Sequence, residues 1–294
     1  MIAPTLPCKA SKSKITIRRA EHLGMCFGVR DAITHAQARA AEGAVTVLGE
    51  LVHNATVLKD LEQRGVRFED EPTEVQTPAA IITAHGASER VKARAEAEGL
   101  QLSDATCPLV HLAHAKLRGL VAEGYHPVVI GKRGHVEVRG LTEDLAECDL
   151  VLNEDDILRM TPRPAFGVVA QTTQPIARVR ELVEFMRGVF PKSEVRFEDT
   201  VCQPTKQRQS AALALARQSD VVIVVGGSNS NNTAELARTC AEHCASVHHV
   251  QGPGGVRGEW LRNAGTVGIT AGTSTPDVLI DAVELRVQEL AEVA

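Results

Sequence analysis

The sequence predicts an α/β fold in which three similar units surround one centre. Two observations carry this. Short, continuously apolar runs alternate with amphipathic helical runs along nearly the whole chain. That is the pattern of parallel strands covered by helices on both faces. In addition, a cysteine at a helix start followed by two polar strand ends recurs three times in the same order, which marks an internal repeat.

The elements follow in chain order. The opening stretch MIAPTLPCKASKSKITIRR is basic and lacks an apolar signal core. It reads as a short flexible lead-in, with residues 14–26 as an N-terminal strand segment that joins the units. GMCFGVRDAITHA opens the first helix at Cys26. A strand over 44–51 leads to His53, and a strand over 79–86 carries His85 before a helix over 87–99. DATCPLVHLAHAKL begins the second repeat, with Cys107 ahead of a helix over 108–123. A strand over 126–134 leads to His135 and Glu137, and one over 166–173 carries Thr172 before a helix over 177–190. DTVCQPTKQRQSAALA begins the third, with Cys202 ahead of a helix over 204–218. Strands over 220–227 and 266–273 lead to Ser230, Asn232 and Ser274, and a helix over 277–291 closes the chain. The cysteines are 81 and 95 residues apart, so the predicted units are 27–106, 107–201 and 202–294. QGPGGVRG at 251–258 has no Walker lysine and reads as a turn. The competing architecture is a continuous two-domain Rossmann-like chain with coincidental spacing.

Composition narrows the function. A chain of 294 residues buries roughly 75% of its unfolded surface and needs no staples. Aromatic residues are 3% of the chain, which argues against stacking platforms for nucleic acid. A net charge of −5 gives no hint of a polyanionic partner. No apolar run approaches the ~18 residues of a membrane span, and a cytoplasmic location is expected. Seven cysteines make a poor disulfide framework. In a reducing compartment they are more readily catalytic or metal-binding.

A helix N-terminus presents free N–H groups and partial positive charge, which favour the thiolate that binds metal. In parallel α/β sheets the ligand lies beyond the carboxyl ends of the strands. Three units around one axis would therefore aim all these features at one cavity. Three thiolates can hold zinc with one open position, or a 4Fe–4S cluster with one iron left without a protein ligand. The wide spacing, unlike compact C-x-x-C pairs, favours an enzyme cluster over a structural site. The strand ends form an anion pocket: His53, His85 and His135 can donate hydrogen bonds or carry charge. Ser230, Asn232 and Ser274 are compact donors in glycine-containing loops before helices. His22, His35, His243 and His248 read as surface residues, and Cys240 and Cys244 as a helix packing face. Cys8 and Cys148 receive no role.

The motifs GMCFGVRDAI, ELVHN, TAHG, DATCPLV, GHVEVRG, QTT, DTVCQPTKQRQ, VVGGSNSNNT and GITAGTSTPD run from about residue 24 to 279. Together they resemble the 4-hydroxy-3-methylbut-2-enyl diphosphate reductase family, the LytB/IspH proteins. The resemblance implies a trefoil of three α/β units with small, mostly parallel sheets around a central iron–sulfur cluster. It implies one 4Fe–4S cluster on Cys26, Cys107 and Cys202, with one open iron site. It implies reduction of an allylic alcohol diphosphate to isopentenyl and dimethylallyl diphosphates, the last step of the methylerythritol phosphate pathway. By the same resemblance His53, His85, His135, Ser230, Asn232 and Ser274 hold the diphosphate, while Glu137 and Thr172 serve the hydroxyl and its protons. The chain departs from the family pattern in three places. Val136 stands where many members have proline, Asn231 replaces a serine donor in the diphosphate-binding run, and AQTTQP replaces the usual Thr-Gln-Thr-Thr while keeping Thr172.

Two other readings share the cysteines. A non-catalytic iron–sulfur redox sensor would have no need of an acid at Glu137. A zinc hydrolase of phosphate esters would be colourless where a 4Fe–4S protein is brown. No Gly-x-Gly-x-x-Gly follows a strand, so no bound nicotinamide or flavin is expected, and a separate ferredoxin or flavodoxin is the expected electron donor.

Overall fold

A computed structural model describes residues 15–293. The predicted lead-in and Cys8 lie outside the described residues. The chain opens with β1 (Thr16–Arg19), α1 (Phe27–Glu42), β2 (Val45–Leu48), α2 (Ala55–Gln63), β3 (Val66–Glu69), β4 (Ala79–Ile82), α3 (Glu89–Ala97) and β5 (Gln101–Asp104). It continues with α4 (Pro108–Ala122), β6 (His126–Ile130), α5 (Val136–Thr142), β7 (Asp149–Val151), α6 (Glu154–Leu158), β8 (Ala165–Ala170), α7 (Ile176–Val189) and β9 (Glu194–Phe197). It closes with α8 (Gln203–Ala216), β10 (Val221–Val225), α9 (Asn231–Ala241), β11 (Val247–Val250), β12 (Thr266–Ala271) and α10 (Asp277–Val293).

The described strands form three sheets of four, ordered β3-β2-β4-β5, β7-β6-β8-β9 and β11-β10-β12-β1. Every pairing is parallel. The order is the same each time: second, first, third, fourth. In the last sheet the N-terminal strand takes the fourth place, with Thr16 opposite Thr266. β1 is also shorter than the 14–26 expected of it.

Each sheet is buried on both faces, which explains the continuously apolar strands. In β10, Val221, Ile223 and Val225 belong to a core with Ile280, Val283 and Val287 of α10. The alternate Val222 and Val224 pack against Ala212 and Ala216 of α8 and Leu236 of α9. The middle sheet repeats this: Val168 meets Leu182 and Met186 of α7, while Val169 meets Leu117 and Leu120 of α4 and Leu141 of α5. So the helices after the first and third strands of each sheet lie on opposite faces. Between two such strands the sheet has a switch point, where ligands bind in open α/β folds. Glycine sits where a helix end crosses closest. A Cβ on Gly167 of β8 would stand 2.8 Å from Leu120 Cβ, and one on Gly268 of β12 would stand 2.6 Å from Ser219 Oγ.

The structure differs from the sequence reading in its strands. The predicted strands run two to four residues too far, because their polar ends are loops. β3, β5, β7, β9 and β11 were not expected at all. Residues 251–258 contain a short 3₁₀ turn at Pro253–Gly255, in keeping with the expected turn.

Candidate active site

All three singled-out cysteines are helix N-caps: Cys26 of α1, Cys107 of α4 and Cys202 of α8. None has its side chain spent on capping. The backbone turns each one inward in the same way. The N–H of Cys26 donates to the Thr273 carbonyl (3.0 Å), that of Cys107 to Ala84 (3.1 Å) and that of Cys202 to Thr172 (2.9 Å). These acceptors lie just past β12, β4 and β8, the third strand of each sheet. A fourth strand ends, the chain is pinned to the neighbouring loop, and the next unit's helix begins with a thiol at its mouth. Gly28 shows how close the helices come: a Cβ there would lie 2.5 Å from Cys107 Sγ.

The expected preference for thiolate is not what Cys107 and Cys202 have. Burial pushes Cys202 up to about 11, against the pull of its bonds with Thr205. Burial raises Cys107 as well, against the N–H groups of Leu109 and Val110. The helix-start donors are in place, but desolvation outweighs them. Among the described residues, no group of three or more His, Cys, Asp or Glu side chains converges closely enough for a single metal ion.

Beside the thiols lies a polar cavity lined by His53, His85, His135, Thr173, Ser230, Asn231, Asn232 and Ser274, together with Thr273, Val29 and Val52. The three imidazoles converge: His53 stacks on His85 with ring centroids 4.3 Å apart, and His135 stands edge-on, 5.2 Å from His53 and 5.7 Å from His85. Burial, followed by the charge of the other two rings, holds His85 well below the ordinary imidazole range. Burial takes His135 down to about 4. Both are therefore neutral donors at pH 7. His135 Nδ1 accepts from the Glu137 N–H at 3.2 Å, so its Nε2 carries the proton. His53 Nε2, His85 Nδ1, and the Asn231 and Asn232 Nδ2 atoms are buried without a partner. Four unpartnered polar nitrogens in one cavity are costly unless a ligand meets them. The chemistry that suits them is an anion with many acceptor oxygens.

Glu137 is 1% exposed. It lies in α5, not in an extended loop, so its alignment with His135 comes from capping rather than strand alternation. Thr172 donates twice to it, from N–H to Oε1 (2.6 Å) and from Oγ1 to Oε2 (3.1 Å). Burial pushes the carboxyl up to about 7, against those two bonds. Its charge is felt at both Cys107 and Cys202, so it stands beside the thiols. It pairs with neither Arg133 nor Arg139; Arg139 holds Glu143 at 2.8 Å.

The description "LytB protein" belongs to the family model that matches residues 17–288. The chain belongs to the LytB family. A 4-hydroxy-3-methylbut-2-enyl diphosphate reductase of Pelobacter propionicus is 36% identical, covering 92% of this chain and 97% of its own. The enzyme of that name from Aquifex aeolicus is 35% identical over 93% and 96%. Of solved structures, the E-1-hydroxy-2-methyl-but-2-enyl-4-diphosphate reductase of Plasmodium falciparum superposes with a TM-score of 0.87 at 26% identity, covering 91% of this chain and 86% of that one. A second, described as (E)-4-hydroxy-3-methyl-but-2-enyl diphosphate reductase, the terminal enzyme of the non-mevalonate pathway, gives 0.67 at 35% identity, covering 94% and 99%.

Within this LytB chain the departures have local explanations. Val136 is the first helical residue of α5, a position where proline is favoured because its N–H is unneeded there. Valine loses only that preorganisation, and His135 still caps the helix. Asn231 is the first residue of α9 and presents a buried Nδ2 donor, so a hydroxyl donor is exchanged for an amide donor.

The sequence reading missed two neighbours. Glu50 accepts from His53 Nδ1 (2.9 Å) and from Asn229 Nδ2 (2.8 Å), tying the first unit's loop to the third's. Thr173, next to Thr172, holds in its sheet the place of His85 and Ser274 in theirs. The threefold spacing carried the signal for Thr173, which lies three residues past its strand as His85 and Ser274 do past theirs, while nothing in the repeat marks Glu50. His35 and His248 are partly buried rather than surface residues; His248 stacks on Trp260 at 3.7 Å. Cys240 and Cys244 are buried in the core under α8 and α9, consistent with packing. Among the described residues no helix is long and apolar enough to cross a membrane.

Proposed function

We propose that this LytB protein reduces (E)-4-hydroxy-3-methylbut-2-enyl diphosphate to isopentenyl and dimethylallyl diphosphates, the last step of the methylerythritol phosphate pathway. The reaction takes two electrons and two protons and releases the hydroxyl as water. One observation carries the reading: unpartnered buried donors for a polyanion and a buried, readily protonated carboxyl both stand beside three inward-turned thiols.

Cys26, Cys107 and Cys202 would hold one 4Fe–4S cluster. The thiols suit such a group in number and in their places at the mouths of three helices. When bound, the cluster would supply the electrons and an iron position open to the substrate. A separate ferredoxin or flavodoxin would reduce it. We place the reaction in the cytoplasm, where free thiols stay reduced.

The chain's own residues do the rest. His53, His85, His135, Ser230, Asn231, Asn232 and Ser274 hold the diphosphate. Ser230 and Asn232 do so at the start of α9, where the helix end adds N–H groups and positive potential. Glu137 keeps the proton needed by the leaving hydroxyl. Thr172, bonded to it through Oγ1, relays that proton: it gives its own to the substrate oxygen and takes one from Glu137. A redox sensor on this fold would have no use for that pair.

Alanine at His53 tests the pocket. Losing one charge-assisted hydrogen bond costs about 1.5–3 kcal/mol, so the substrate Kd should rise tenfold or more while the visible spectrum of the protein stays unchanged. Unaltered binding in His53→Ala would place the diphosphate elsewhere.

A further inference from the structure

We propose that Arg208 supplies the fixed positive charge that balances the three-thiolate centre and makes it easier to reduce. The inference rests on the cluster assignment above.

Arg208 lies on α8, in the run TKQRQ that follows Cys202. It is 8% exposed. Its Nε donates to the Gly24 carbonyl at 2.8 Å and its Nη1 to the Pro204 carbonyl at 3.0 Å. Gly24 is two residues before Cys26, and Pro204 two residues after Cys202. One guanidinium, held to the first turn of its own helix just after Cys202, thus reaches across to the loop that carries Cys26.

Among the described residues Arg208 has no carboxylate within ion-pair reach, while most other arginines here do. Buried charges are ordinarily paired, because desolvation is expensive. Burial lowers the guanidinium from its usual value; the groups that act against this are Cys26 and Cys202, which are anions once they ligate the cluster, and Arg30 is the opposing cation. The guanidinium stays protonated at any working pH. Its counter-charge is therefore the thiolate centre itself.

The consequence for redox chemistry follows from Coulomb's law. Each electron taken up adds negative charge to a centre already carrying three thiolates. A cation held in a low-dielectric site stabilises the reduced form more than the oxidised one, and local charge is one of the levers on iron–sulfur potentials. Two backbone bonds alone would serve anchoring, but a neutral amide could make those. Only an electrostatic role requires the charge.

The test compares the midpoint potential of the anaerobically prepared holoprotein in wild type, Arg208→Gln and Arg208→Lys, read by dye-mediated titration with EPR. Arg208→Gln should shift to a more negative potential, and Arg208→Lys should stay near wild type. Loss of the cluster from Arg208→Gln with retention in Arg208→Lys supports the same conclusion, because both remove the planar fork and only one removes the charge. Equal potentials in all three, or equal cluster loss in both variants, would make Arg208 a scaffold residue and overturn the inference while leaving the cluster assignment intact. A wild-type protein that takes up no iron would overturn both.

Discussion

Serine at Cys107 should abolish both cluster binding and turnover, and serine at Cys26 or Cys202 should do the same. The three are interchangeable in this respect because the backbone treats them alike. Each caps a helix, each donates its N–H to the loop after a third strand, and none uses its thiol as the cap. A hydroxyl is a poor ligand for a soft metal centre, and with two thiols left the group loses a third of its protein anchors. Serine at Cys148, Cys240 or Cys244 should leave iron content nearly intact. These thiols sit in packing clusters, and burial pushes Cys148 and Cys240 up to about 12, so they stay protonated. The cost there is one of stability, about 1–3 kcal/mol for a hydroxyl in an apolar site. Iron analysis and an anaerobic turnover assay check both halves. Full activity in Cys107→Ser would remove the three-ligand account.

Glutamine at Glu137 should lower turnover at least a hundredfold, the low end of what general acids contribute, with cluster and substrate affinity near normal. The amide keeps the shape and can still accept from Thr172, but it has no acidic proton to give. The wild-type pH profile should show the same group. A carboxyl near pKa 7 donates while protonated, so turnover should be full below about 7 and fall as pH rises through it. In Glu137→Gln that falling limb should disappear from what activity remains. Turnover at the wild-type rate would mean that the proton comes from another source, such as the substrate's own diphosphate.

Much of this was legible in the sequence because a repeat gives three readings of each feature. His53, His85 and His135 come from two units and three loops, yet their offsets from the cysteines placed them in one pocket. The six central strands were legible because burial on both faces makes them apolar throughout. The edge strands were not: VRFE, QLSD, DLV, EVRF and VHHV are short and mixed, and they form because a parallel neighbour offers its open edge. The short helices α2 and α5 were missed for a different reason. Their N-caps Asn54 and His135 accept from helix N–H groups, but these residues lie within or beside site motifs, where a polar side chain reads equally well as a ligand contact. Arg208 was invisible because nothing local marks it. Its meaning lies in the missing carboxylate and in a bond to Gly24, which is distant in sequence.

The central claim is that three thiols, one at the mouth of a helix in each repeat, jointly hold one iron–sulfur cluster. The most direct measurement is iron and acid-labile sulfide per chain in anaerobically purified and reconstituted protein. About four of each per chain are predicted for a single 4Fe–4S cluster. One zinc per chain with no labile sulfide would contradict it.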